Sequence, residues 1–264
     1  MKIVTNHAKE KLASGGLSVG LGVRQSRTVD IAMIAKTAGY DWLFIDMEHS
    51  SLDIDTAAQI SAAALDAGFT PIVRVPGHEH FHASRLLDTG ALGIVVPHVN
   101  SAAEAERAVS QCRFPPLGKR SLPGTLPQAH FEPVPIAELA AGVNAATLVV
   151  VMIETPEAVE NADAIAAVPG ADVLLIGTND LAAEMGITGQ FAHAKIEEAY
   201  RKVIAACRKH NKFAGMGGVY DNALMERYIG LGARFILGGS DLSFLMAGAK
   251  ARSAFLQGLA LKPV

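Results

Sequence analysis

Residues 41–51, DWLFIDMEHSS, pass from an unbroken apolar run into three titratable groups, Asp46, Glu48 and His49. Trp42, Leu43, Phe44 and Ile45 show no alternation. That pattern belongs to a strand buried on both faces, as in a parallel sheet covered by helices. An unpaired carboxylate in such a place is costly, so the cluster is expected to be solvated, paired or metal-bound.

Outward from this stretch the same cadence repeats. Strands are predicted at 17–23, 41–46, 71–75, 92–97, 147–153, 172–177, 212–217 and 234–239. Ala-rich helical stretches lie between them. SLDIDTAAQISAAALDAG and NSAAEAERAVSQC begin at cap-forming polar residues, and AGY, AGF, TGA and LGA put a glycine between helix and strand. Only 113–135, which contains RFPPLGKRSLPG, reads as a long irregular stretch. Eight strand–helix units in one chain predict an α/β fold, a single (β/α)8 TIM barrel over 1–264. An open doubly wound sheet is the alternative, and the unit count disfavours it.

The totals agree. Half the residues are hydrophobic, and a formal charge of −3 leaves no footprint for nucleic acid or an anionic membrane. No apolar run approaches the ~18 residues of a membrane helix. The first residues, MKIVTNHAKEKLASGG, carry charges where a secretion signal would be apolar. Two cysteines, Cys112 and Cys207, fit a reducing compartment, and a cytoplasmic location is expected.

Barrel active sites sit at the C-terminal ends of the strands. After Asp46, Glu48 and His49, those ends supply Arg74, then His98 and Asn100, then Glu154, then Thr178, Asn179 and Asp180. Two carboxylates on adjacent strands suit a hard divalent cation with an incomplete protein shell: Mg²⁺ or Mn²⁺, with Co²⁺ a further candidate. An arginine suits a carboxylate or enolate oxygen, and a histidine suits proton transfer near neutral pH. Asp88 falls in the last turn of a predicted helix, where the dipole disfavours an anion. It reads either as a surface acid or as the group that orients His49.

Other signals carry less. HEHFH at 78–82 matches a zinc-protease pattern, but the preceding VPG puts it across a loop and a helix start. A Schiff-base aldolase needs a lysine inside the barrel. The lysines at 2, 9, 11, 36, 119, 195, 202, 209, 212, 250 and 262 fall on helices, loops or the wrong end of a strand.

DWLFIDMEHS, PIVRVPG, LLDTGALGIVVPHVNSAAEA, RFPPLGKRS, MIETPEAVEN and GADVLLIGTNDLA, in this order, resemble the HpcH/HpaI class II pyruvate aldolases. The resemblance implies a metal-dependent aldolase that splits a 4-hydroxy-2-oxo acid into pyruvate and an aldehyde. It implies that His49 is the base, that Arg74 stabilises the enolate and that Asp88 raises the basicity of His49. Glu154 and Asp180 would ligate the metal, and Met152, Gly177, Thr178 and Asn179 would contact substrate. It also implies a homo-hexamer, a trimer of dimers exchanging the C-terminal helix. Members of the family often carry Gln where this chain has Met152, so recognition there must differ. Arg24, Arg27 and the histidines at 78, 80 and 82 are candidates for reading the aldehyde half. A barrel lyase acting on an acyl-CoA and a non-catalytic metabolite-binding barrel remain as alternatives.

Overall fold

The computed structural model describes residues 3–261. Eight parallel strands close into a barrel in sequence order. They are β1 (Ser18–Val23), β2 (Trp42–Asp46), β3 (Thr70–Arg74), β4 (Gly93–Val96), β5 (Leu148–Ile153), β6 (Val173–Gly177), β7 (Phe213–Gly217) and β8 (Phe235–Ser240). The helices before and between β1 to β5 are α1 (His7–Ala13), α2 (Ile31–Thr37), α3 (Ile54–Asp66), α4 (His80–Asp88), α5 (Ala102–Cys112) and α6 (Ile136–Ala146). Those that follow are α7 (Pro156–Glu160), α8 (Ala162–Ala167), α9 (Thr178–Glu184), α10 (Ala194–Lys209), α11 (Asn222–Leu231) and α12 (Asp241–Gln257). Each predicted strand is present to within about two residues.

Alternate residues of the strands point into the barrel and stack in layers. Trp42, Phe44, Ile72, Val95, Leu148, Val150, Val173, Leu175 and Phe235 fill it. The Trp42 indole and the Phe235 ring stack with centroids 4.0 Å apart. This layer needs a glycine opposite, because a Cβ on Gly20 would lie 2.4 Å from the indole. Leu43, Ile45, Val73, Ile94, Val149 and Ile176 face outward into the larger core between strands and helices. The unbroken apolar run of β2 is therefore two alternating faces, both buried.

Helix α1 was not anticipated from the charged N-terminal stretch. It adds Ala8 and Leu12 to the barrel interior. The Asn6 amide ties its start to the strands' N-terminal ends, donating to the carbonyls of Leu92 (3.0 Å) and Ala146 (2.8 Å). Asp172 and Arg113, 2.6 Å apart, form an ion pair beside it. That end of the barrel is closed by packing and ion pairs, which leaves the C-terminal end for chemistry. No helix among the described residues is long and apolar enough to cross a membrane.

Candidate active site

A cavity of about 400 Å³ opens at the C-terminal ends of the strands. Arg24, Asp46, His49, Arg74, Met152, Glu154, Gly177, Thr178, Asn179, Asp180 and Tyr220 are among its lining residues. The fold thus brings together every proposed site residue except Asp88.

Its framework is an ion-pair chain. Asp46 ends β2 and Arg74 ends β3, and the two are register partners. The guanidinium grips Asp46 with both Nε (3.0 Å) and Nη2 (2.8 Å). Its Nη1 lies 2.8 Å from Glu48 and 3.9 Å from the Met152 sulfur. The Phe44 ring lies beneath, 5.1 Å from the guanidinium carbon. Burial would push the Asp46 carboxyl upward, but the Arg74 fork and charge and the His49 N–H hold it below the ordinary carboxylate range. A buried charge pair persists only with such saturation of its hydrogen bonds. Asp46 and Glu48, noted in the sequence only as part of a cluster, are the groups that fix Arg74.

His49 is held by its backbone and free at its ring. Its N–H donates to Asp46 Oδ1 at 3.1 Å, and its carbonyl accepts from Arg24 Nε and Nη2 at 3.2 and 2.8 Å. Among the described residues, the imidazole makes no hydrogen bond or ion pair with the protein. It is exposed and faces the cavity. Both ring nitrogens are thus open to a ligand in the cavity, within whose reach a proton could be exchanged.

Glu154 is 1% exposed, in the turn after β5. Its Oε2 accepts from the His98 N–H at 2.8 Å and lies 3.2 Å from that imidazole, while Oε1 is buried without a partner. The close approach requires Gly177 at the end of β6, since a Cβ there would lie 2.5 Å from Oε1. Burial pushes the Glu154 carboxyl up; His98 opposes this, and the charges of Asp180 and Glu48 add to the rise. Asp180, in the first turn of α9, makes no hydrogen bond or ion pair among the described residues. Two carboxylates, one with an orphaned buried oxygen, form an all-oxygen donor set fit for a hard divalent cation. Among the described residues no group of three or more His, Cys, Asp or Glu is arranged to hold a metal ion by itself, and water and substrate would complete the shell.

Asp88 lies elsewhere. It ends α4, four residues before Leu92, whose N–H bonds to Pro71 at the start of β3. The helices of a barrel run antiparallel to the strands, which puts Asp88 at the N-terminal end, away from His49. Its carboxylate accepts a 2.6 Å bond from Arg120, which is buried over the Phe114 ring. Asp88 and His49 share no bond within one chain. The histidines of 78–82 also stand apart: His78 bonds the Pro97 carbonyl, and none of the three lines the cavity. No described lysine lines it either; Lys2 and Lys262 lie outside the described residues.

Two contributors escaped the sequence reading, which stopped at the sixth strand. Tyr220 follows β7 and lines the cavity. Asp241 follows β8 and accepts from the backbone N–H groups of Arg24, Gln25 and Ser26 at 3.0, 2.9 and 2.7 Å. Both follow the ends of the last two strands, where the rim rule places functional side chains.

Residues 24–247 match the family described as HpcH/HpaI aldolase/citrate lyase. The chain is 43% identical to a 4-hydroxy-4-methyl-2-oxoglutarate aldolase of Hapsidospora irregularis, over 92% of each chain. It is 34% identical to a 5-keto-4-deoxy-D-glucarate aldolase of Citrobacter koseri, over 96% of this chain and 97% of that one. An HpcH/HpaI aldolase from Desulfitobacterium hafniense superposes with a TM-score of 0.91 at 32% identity, covering 97% of this chain and 98% of that one.

Proposed function

The chain belongs to the HpcH/HpaI aldolase/citrate lyase family and is an aldolase, and on that premise we propose that it cleaves 4-hydroxy-2-oxo acids reversibly to pyruvate and an aldehyde with a divalent cation. The observation that carries this reading is the orphaned, buried Oε1 of Glu154 in one cavity with unpartnered Asp180, Arg74 and a free imidazole. A passive metabolite pocket has no need to bury an unsatisfied carboxylate oxygen.

Glu154 and Asp180 would hold the cation, Mg²⁺ or Mn²⁺. When bound, it would draw electron density from the 2-oxo group and offset the charge of the three-carbon fragment. The remaining work belongs to the chain. His49 takes the proton of the 4-hydroxyl group. The C3–C4 bond breaks, its electron pair stays on C3, and the 4-oxygen becomes the carbonyl of the released aldehyde. C3 then takes a proton to give pyruvate. Arg74, fixed by Asp46 and Glu48, presents a preorganised positive charge where negative charge develops. The first N–H groups of α9, at Thr178 and Asn179 beside Gly177, have no acceptor inside the helix and would orient the substrate carboxylate. The Thr178 hydroxyl is already bonded to Tyr200 at 2.8 Å, so only its backbone is available. Met152 offers an apolar wall.

The experiment is incubation with pyruvate in D₂O, followed by addition of aldehydes. Loss of the methyl proton signal and formation of 4-hydroxy-2-oxo acids are expected. Pyruvate binding with neither exchange nor carbon–carbon bond formation would make the chain a binding protein.

The assembly belongs to the same reading. No residue of α12 is buried, and Leu245, Met246, Phe255 and Leu256 are each more than half exposed. So much apolar surface on this helix supports an interface, and a homo-hexamer with exchanged C-terminal helices would cover it. The expected solution mass is that of an oligomer, and a monomer at micromolar concentration would contradict it. Cys112 and Cys207 are buried free thiols, which supports a reducing, cytoplasmic setting.

A further inference from the structure

The two arginines of the cavity differ in how many of their N–H groups are occupied. Arg74 is 6% exposed, with Nε and Nη2 on Asp46 and Nη1 beside Glu48. Arg24 has 40% of its side chain exposed. Its Nε and Nη2 converge on the His49 carbonyl, and Nε lies 3.6 Å from Asp46 Oδ2. Its Nη1 has no protein partner among the described residues. A guanidinium carries five N–H donors in a planar fork, so part of that fork remains open.

This cation is also preorganised. The Asp241 carboxylate collects the N–H groups of Arg24, Gln25 and Ser26, locking the segment after β1 onto the start of α12. The same helix supplies Leu242, Ser243 and Met246 to the cavity wall. Fixing a charged side chain before the ligand arrives lowers the ordering cost of binding. Arg27, by contrast, bonds Ser51 and the carbonyls of Arg24 and Ser26, and does not line the cavity.

Charge then limits the ligand. Asp46 and Glu48 pair with Arg74, while Glu154 and Asp180 would hold the cation. A second carboxylate would need a positive group of its own, and Arg24 has the open donors. Tyr220 lines the same cavity, with Arg24 and Arg74 near enough to act on its hydroxyl.

We propose that Arg24 is the specificity-determining residue for the aldehyde half and acts by binding a carboxylate on it. This rests on the pyruvate-aldolase reading and goes further by naming the residue that reads the second fragment.

The test is aldol addition of pyruvate to glyoxylate, which carries a carboxylate, and to acetaldehyde, which does not. Arg24→Met should lower the ratio of kcat/KM for glyoxylate to that for acetaldehyde by about 10- to 100-fold, the range for a lost charged hydrogen bond. The loss should fall mainly on KM for glyoxylate. Arg24→Lys should recover part of it. The ratio does not depend on how much variant folds. An equal fall with both acceptors would mean that Arg24 serves only to hold the His49 carbonyl, and would overturn the proposal. Methyl-proton exchange of pyruvate needs no acceptor and reports the underlying aldolase reading separately. Exchange by the wild-type enzyme with an unmoved ratio in Arg24→Met would sink the Arg24 assignment alone.

Discussion

Arg74→Lys is expected to lower turnover by about 10²- to 10³-fold, the usual cost of removing a preorganised donor from developing negative charge. Lysine keeps the charge but loses the fork. Arg74 meets both oxygens of Asp46 and one of Glu48 at once. An ammonium on a flexible stem cannot hold that planar set while presenting its charge to the substrate. Arg74→Ala is a poorer probe, because it removes the main partner of Asp46, which is 2% exposed and would keep only the more distant Arg24 as a counter-charge. Breaking a buried pair in this way costs about 3–5 kcal/mol, so lost activity would be mixed with lost stability. The discriminating measurement is kcat for cleavage of a 4-hydroxy-2-oxo acid by Arg74→Lys, beside Mn²⁺ affinity of the same protein. Metal binding should stay near normal while turnover falls. Turnover near wild type would remove Arg74 from the chemistry.

The largest effect is expected from the carboxylates. Thorough chelation should abolish both aldol cleavage and the exchange of pyruvate's methyl protons, and Mg²⁺ or Mn²⁺ should restore them. Glu154→Gln should reproduce the chelated state in the presence of metal. The amide keeps an acceptor for the His98 N–H but removes the anionic oxygen. The pH dependence has a definite sign. Burial holds the Glu154 carboxyl above its ordinary pKa of 4.5, with Asp180 and Glu48 adding to the rise against the opposing effect of His98. Proton and cation would compete for this group, so Mn²⁺ affinity should weaken as pH falls toward the raised pKa. Glu154→Gln should lose that competition together with most of the affinity. Borohydride added with pyruvate should leave the mass of the protein unchanged. Activity that survives chelation, or a borohydride adduct on a lysine, would put the protein in the imine class of aldolases.

The barrel was legible because its signal is local and repeated. Most strands are largely apolar runs of four to six residues set between Ala-rich helical stretches, and eight such units admit few closed topologies. Glu154, Asp180, Arg74 and His49 were legible for the same reason: parallel strands present all their C-terminal ends on one rim. Helix α1 was not, since its charged heptad HAKEKLA buries only Ala8 and Leu12. Its place depends on the Asn6 amide meeting Leu92 and Ala146, which are distant in the chain.

What the order of residues determined by itself was therefore the architecture, the rim and the kinds of chemistry gathered there, because strand length and strand ends are written in consecutive residues. Tertiary structure alone decided which of those groups touch. It gave Arg74 to Asp46 and Glu48, left Glu154 Oε1 unpartnered against Gly177, and separated Arg24 from Arg27. It also turned Asp88 toward Arg120 at the far end of the barrel. A helix terminus can be read from its own residues. The end of the barrel it reaches, and the charge it meets there, follow from packing against elements tens of residues away.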